Sequence, residues 1–356
     1  MASQIRKPPP RKLGKALLLT LPILLWALLM FSRAFQQASP AVRAAALLTA
    51  AFMVTLFFLM MRTYETNRWR RVFFVALGFL FPIGFIWELI AVRGSMSMPI
   101  EEMLAGNAPF CFLAIPMMIV PAALAKTIIF PGSILPTPSN PHAIGVMIGL
   151  WLAATIVLGK GWCSFGCFFG GLEEGFSNVL KKARIRNISA KWRLAPWAVL
   201  AAIVLLSAAT FEPIYCAWLC PFKTVTEYAE VRSLEGAVQT GIFLSLFAGL
   251  VVTLPVLTKK RTQCAGCVSC QRSCPIQALD KDSVERGKTL MTCMKCGACV
   301  DVCHKQAAFW HIKGTAVGIS SERARLLYLY AAWGFATMFG GSILANSLQR
   351  LLGFLG

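Results

Sequence analysis

Long apolar runs set the first limit on what this chain folds into. About Ala16–Phe35, Ala41–Met61 and Val72–Val92 each have enough apolar residues in a row to cross a bilayer core. Further runs follow at about Ala143–Gly159, Leu194–Phe211, Ala237–Leu257 and Arg325–Leu348. In hydrocarbon, backbone N–H and C=O groups must be satisfied internally, so such runs fold as helices. The expected fold class is an all-α polytopic membrane protein with seven to eight transmembrane helices, interrupted by one polar insert. The first run follows the basic tail "RKPPPRKLGK"; its length and the lack of a cleavage site mark an uncleaved anchor. Composition agrees, with 57% hydrophobic residues and a mean hydropathy of +0.65.

Charge then orders the spans. Only 14% of residues are charged, yet the formal net charge is +20. Between apolar runs such a surplus marks loops retained on the cytoplasmic side, and no nucleic-acid partner is read from it. The stretch Ala108–Phe130 is apolar but broken by Pro116, Pro121 and Lys126. If it is re-entrant or lies on the surface, 28 of the 35 lysines and arginines share one side. They fall in the N-terminus, Arg62–Arg71, Lys160–Arg193 and Lys259–Arg325. Seven full spans, with the N-terminus and the insert cytoplasmic, satisfy the positive-inside rule. If Ala108–Phe130 does cross, either the basic stretch "KKARIRNISAKWR" moves outside or the second half of the chain inverts.

Cysteines carry the chemistry. Twelve of the 13 stand in short regular spacings, which reads as metal ligation in a reducing compartment. In the insert, "CAGCVSCQRSCP" supplies Cys264, Cys267, Cys270 and Cys274. "CMKCGACVDVCH" repeats the spacing with Cys293, Cys296, Cys299 and Cys303. This C-x2-C-x2-C-x3-C run, given twice, is the two-cluster ferredoxin pattern, in which the last cysteine of each run ligates the other cluster. The expected sets are Cys264, Cys267, Cys270 and Cys303 for one 4Fe-4S cluster, and Cys293, Cys296, Cys299 and Cys274 for the second. Zinc sites use two pairs across a longer gap. His304 stands where the first run has Pro275, a change beside the second cluster that removes no ligand.

Two further motifs lie beside apolar runs. "GWCSFGCFFGG" holds Cys163 and Cys167, and "IYCAWLCPFKT" holds Cys216 and Cys220. Each pair is spaced i,i+4 and would share one face of a helix. An aromatic residue precedes each motif's first cysteine, and Glu174 and Glu227 each follow the second cysteine by seven residues. One pair cannot complete a four-coordinate site but two can, so an additional iron–sulfur cluster or metal ion is a candidate here. The charge pattern places the pairs toward opposite faces, leaving one shared site or two separate sites open. Glu88 within a span, His142 as a quinone neighbour, Lys126 and the isolated Cys111 are weaker candidates. Against these stand plainer readings: Glu88 reaching the interface, His142 solvated in a loop, Lys126 snorkelling and Cys111 packing.

The chain divides by this reading into a membrane domain (1–258), a small α+β two-cluster ferredoxin domain (259–315) and a C-terminal transmembrane helix (320–356). Over residues 143–313 these motifs resemble the NapH/NosR group of membrane-bound polyferredoxins, with similarity also to CcoG-type proteins. The first motif reads Cys167–Phe168 where that group has Cys–Pro, whereas Cys220–Pro221 keeps it. A further span separates the second motif from the insert, and the chain ends in an extra hydrophobic segment. The resemblance implies a bacterial inner-membrane protein passing electrons between a cytoplasmic donor or the quinone pool and a membrane or periplasmic partner. Redox partner proteins, quinone or quinol, and acidic lipid beside Lys259, Lys260 and Arg261 are the expected partners. No Rossmann glycine fingerprint or flavin-attachment sequence is present, so two-electron chemistry is expected of partner subunits. Another reading makes the paired cysteines a transient Cu(I) site of a metal reductase or assembly factor, since thiolates select Cu(I). A third is a non-redox scaffold with structural clusters.

Overall fold

The computed structural model describes residues 9–92, 149, 152–153, 156, 158–179, 195–210, 214–219, 237–238, 241–242, 245, 274, 278–279, 289, 293–303, 310 and 321–355. The chain forms two compact units. Met1–Phe85, Ala154–Arg186 and Leu254–Gly356 make up the first, and Ile86–Ala153 with Asn187–Thr253 the second.

The first unit begins with α1 (Leu13–Phe35), α2 (Pro40–Thr63) and α3 (Thr66–Val92) as far as Phe85. On α1 a stripe of Ala16, Thr20, Ile23, Ala27 and Phe31 is buried, at the three- and four-residue steps of one helical face. Its other face carries Leu17, Leu18, Leu21, Leu25 and Leu29 exposed, the arrangement suited to lipid. Pro40 at the first turn of α2 has the fixed φ that starts a helix. α2 packs between α1 and the last helix of the chain, through Ala45, Ala46, Thr49, Ala50 and Met53 on its first half. Small residues at such contacts let helices approach closely where lipid gives no hydrophobic drive to associate.

α2 ends at Tyr64, whose φ of 60° is left-handed, and α3 begins two residues later. The polar stretch between the second and third expected spans is thus mostly helix: Thr66–Arg71 form the first turns of α3. Short helices α4 (Trp162–Phe165) and α5 (Phe168–Val179) follow. Where α3 meets α5, Gly78 lies against Gly171; a Cβ on Gly78 would strike the Gly171 and Leu172 backbone, and one on Gly171 the Phe74 carbonyl. The "FFGG" end of the first paired motif is therefore a crossing point.

Within the cysteine insert lies α7 (Ala298–Asp301); after it come α8 (Ser321–Phe335), a π-helical turn at Ala336–Gly340, and α9 (Gly341–Leu355). Together Glu322–Phe354 give 33 residues, longer than the Arg325–Leu348 span read from sequence. Trp333 of α8 is fully buried at the centre of the unit. Its ring lies 5.2 Å from Phe73, 6.2 Å from Phe57 and 6.4 Å from Phe165, and its indole N–H donates to the Met53 carbonyl. The burial is apolar and the one polar atom is answered, as a buried indole requires.

In the second unit, α6 (Ala195–Thr210) has 16 residues. It covers about 24 Å of a roughly 30 Å hydrocarbon core. Ser207 of α6 is buried and accepts the Ile214 N–H at 3.2 Å, tying the helix to a π-helical turn at Tyr215–Leu219.

Among the described residues, three helices are long and apolar enough to cross a membrane: Leu13–Phe35, Pro40–Thr63 and Glu322–Phe354. α3 is a single helix where the third span was expected, with side chains described to Gly84. The stretch Ala108–Phe130 lies outside the described residues, as do most of Ala143–Gly159 and Ala237–Leu257. No strand occurs among the described residues, and most of the insert expected to be α+β lies outside them.

Replacing Gly171 with alanine is expected to force α3 and α5 apart and cost about 1–3 kcal/mol. Gly14→Ala, with open space around it, should leave stability unchanged or slightly higher; thermal unfolding in detergent compares the two.

Candidate functional site

Four segments distant in sequence meet at one end of the first unit. Arg11 donates to Glu322 at 2.6 Å and its backbone N–H to the Arg62 carbonyl. Arg325 donates to the Met60 carbonyl and to Thr66 Oγ1. Arg70 donates to the Ser164 carbonyl at 2.7 Å. Asp301 accepts the backbone N–H groups of Thr66 and Asn67 at 3.2 and 2.6 Å. The N-terminal tail, the α2–α3 junction, the first paired motif and the cysteine insert therefore share one end. These are the segments that the charge pattern groups on one side.

Three of the basic residues behind that charge pattern are buried rather than solvated: Arg11, Arg70 and Arg325. Arg70 is the most enclosed, with 1% of its side chain exposed. Its guanidinium meets Asn67 Oδ1, the Ser164 carbonyl and both Glu174 oxygens, and lies 5.1 Å from the Phe74 ring centre. Glu174 also pairs with Arg71 at 2.7 Å. A buried charge is tolerated when its donors are answered in this way.

The second cysteine run is built as a tight turn. Lys295 and Gly297 both have positive φ, 52° and 85°. Gly297 fits because a side chain there would be strained and would press on Trp310 and Thr66. The Gly297 carbonyl then accepts from Val300 and Asp301 N–H, starting α7, which carries Cys299. Cys296 is buried, and Cys293, Cys299 and Cys303 are half-buried. Burial pushes the Cys296 thiol up, Arg70 pulls it down, and Cys274 from the first run lies near enough to raise it again. Burial also pushes the Asp301 carboxyl up to about 6, against the downward pull of the Asn67 N–H and Arg325.

This run is held directly to the first paired motif. Ser164 stands between Cys163 and Cys167, and Met294 between Cys293 and Cys296. Ser164 Oγ–H donates to the Met294 carbonyl at 2.8 Å. Beside it Lys295 Nζ donates to the Leu158 carbonyl at 3.1 Å. One hydrogen bond thus joins two cysteine motifs that lie 130 residues apart in the chain.

The motif itself differs from the expected single helical face. α4 ends at Phe165, Gly166 turns, and Cys167 precedes α5, its carbonyl accepting the Gly171 N–H at 3.1 Å. Cys167 thus acts as the residue that starts α5, which breaks the i,i+4 register. Cys216 lies in the π-helical turn Tyr215–Leu219 of the second unit, so the two pairs fall in different units. Cys220, Cys264, Cys267 and Cys270 lie outside the described residues. Among those described, no group of three or more His, Cys, Asp or Glu side chains converges to hold a metal ion.

The donor chemistry nonetheless suits an iron–sulfur group. A buried thiol is poorly placed to ionise alone, and ligation to iron supplies the positive charge that makes it a thiolate. Asp301, Ser164, Arg70, Tyr328 and Trp310 frame the run, and none is marked by a local motif. Glu174, which answers Arg70, is marked in the sequence by its register with Glu227.

Residues 257–304 match the model of the 4Fe-4S dicluster domain, and 140–187 and 194–234 each match that of a 4Fe-4S binding domain. The latter two segments each contain one paired-cysteine motif. The chain thus carries ferredoxin-type 4Fe-4S domains, consistent with a polyferredoxin, and these support an iron–sulfur electron-transfer role. No curated protein and no solved structure matches the chain.

Asp301→Ala leaves the first-turn amides of α3 without their acceptor. It should cost about 0.5–2 kcal/mol, and hydrogen exchange at Thr66 and Asn67 should speed up.

Proposed function

We propose that this chain is a membrane-bound polyferredoxin of the NapH/NosR type. It relays electrons between a cytoplasmic donor or the quinone pool and a membrane or periplasmic partner. The observation that carries the reading is the Ser164–Met294 hydrogen bond, which puts a dicluster cysteine run against a second 4Fe-4S motif. Two motifs in such contact make a continuous route, whereas a structural cluster has no need of a neighbouring redox motif.

Cys264, Cys267, Cys270 and Cys303 would hold one 4Fe-4S cluster, and Cys293, Cys296, Cys299 and Cys274 would hold the other. Each cluster, when bound, takes up and gives back one electron at a time. Cys163 and Cys167 in the first unit, and Cys216 and Cys220 in the second, are the candidate ligands of an additional iron–sulfur cluster or metal ion, at one site or two. The chain's own polar groups do the positioning. Asp301 fixes the run to α3, Lys295 and Ser164 fix it to the first paired motif, and Arg70 braces that motif from beneath. Arg70 and Lys295 also place positive charge where an added electron must be stabilised. The basic end of the first unit faces the cytoplasm of a bacterial inner membrane, in accord with the positive-inside rule.

Anaerobic purification with iron analysis and EPR tests this. About eight irons per chain, in two reducible 4Fe-4S signals, are expected from the insert. Iron beyond that number should disappear in a Cys163→Ser/Cys216→Ser variant. A preparation binding copper but no additional iron at those cysteines would replace the relay with a metal-reducing role. A preparation with no iron would end the reading.

A further inference from the structure

Four buried side-chain polar atoms among the described residues make no hydrogen bond of good geometry: Thr49 Oγ1, Arg325 Nη1, Trp310 Nε1 and Tyr328 Oη. The last two form one feature. Their rings stack with centroids 4.7 Å apart and planes 26° apart. Each contributes one N–H or O–H, and a buried donor without an acceptor is costly.

The pair is fitted closely around the second cysteine run. Trp310 lies against Gly297, where even a Cβ would be 3.3 Å from its ring. Lys295 Nζ stands 5.6 Å from the Tyr328 ring centre. Phe165, from the first paired motif, meets Tyr328 edge-on at 6.0 Å. The phenol oxygen is lodged against Gly161, where any side chain would overlap it. Cys293 and Cys296 are both near enough to act on Tyr328 electrostatically, and the Ser164 side chain lies within hydrogen-bonding reach of its phenol. The two aromatic residues thus come from beyond the insert's cysteines and from α8, and together they close over one motif.

We propose that Tyr328 Oη–H and Trp310 Nε1–H donate hydrogen bonds to the sulfur atoms of the 4Fe-4S group held by Cys293, Cys296, Cys299 and Cys274, and raise its reduction potential. The inference rests on the ligand assignment under the proposed function. Thiolate and sulfide sulfurs bound to iron carry negative charge and accept hydrogen bonds, which a neutral thiol does weakly. Reduction adds one electron and no new bond. Donors fixed in place before reduction stabilise the added charge, so the reduced form gains more than the oxidised form. Tyr328 and Trp310 are positioning residues in this role, since neither is a ligand.

The test is an EPR-monitored redox titration of the full-length protein with Tyr328→Phe and, separately, Trp310→Phe. Both substitutions keep the stacked ring and remove one donor. The expected result is an unchanged iron content with one cluster's potential moved negative and the other unmoved. At the wild-type midpoint, the reduced-to-oxidised ratio of the affected cluster should fall by up to about tenfold, which is about 59 mV for one electron. A Cys264→Ala variant identifies the affected cluster, which should be the one that survives. In wild type exchanged into D2O, ENDOR should show exchangeable-proton couplings to that cluster, and each variant should lose one. Full iron with unchanged potentials and couplings in both variants would overturn the inference and assign the donors to protein oxygens such as Ser164 Oγ. Absence of iron would instead remove the ligand assignment itself, so the two failures are distinguishable.

Discussion

A guanidinium with almost no exposure holds the first unit together at its polar end. Arg70 touches α3 through Asn67, the first paired motif through Ser164, and α5 through Glu174. Removing a charge from water is expensive, and only full pairing offsets that expense. Each partner is therefore constrained by the same demand. Ser164 must present its carbonyl to Arg70, which turns its hydroxyl toward Met294 and fixes the cysteine turn above. Glu174 must reach back from α5, which requires α5 to cross α3 closely, and Gly78 and Gly171 make that crossing possible. The docking of the second cysteine run and the packing of α5 on α3 thus depend on one ion pair.

Pairing also explains why this end of the protein is specific rather than merely basic. Arg11, Arg70 and Arg325 each have a defined neighbour, and Asp301 and Glu322 supply opposite charge from the insert's end and from α8. Counting lysines and arginines treats them as interchangeable anchors. Three of them instead act as joints between segments, a role that depends on the arginine fork and that lysine fills poorly.

What the sequence makes legible is what is local. Cluster spacing is written within a dozen residues, so the quartets can be read and the dicluster model covers them. Span lengths are likewise local, and α1, α2 and the C-terminal helix lie close to where the apolar runs place them. Contacts between segments are not written that way. Nothing around Asp301 marks it as the acceptor for α3, because its partners are 234 and 235 residues away. The single-face reading of Cys163 and Cys167 fails for a related reason. Spacing gives a shared face only if the helix is continuous, and Gly166 with Cys167 ends one helix and begins another. Burial of Arg70 was hidden too, since its neighbours Arg68 and Arg71 look the same in sequence yet are 66% and 38% exposed.

The Arg11–Glu322 contact has a consequence for synthesis. Its partners are 311 residues apart. At about 5–20 residues per second the ribosome needs roughly 15–60 s to make the second after the first. During that interval α1 and α2, then both paired motifs and all eight insert cysteines, emerge in turn. The helix that closes the bundle and brings Tyr328 over the cysteine turn comes last. Translation order therefore leaves the second cysteine run open on the side that Tyr328 covers until its final neighbour has been made.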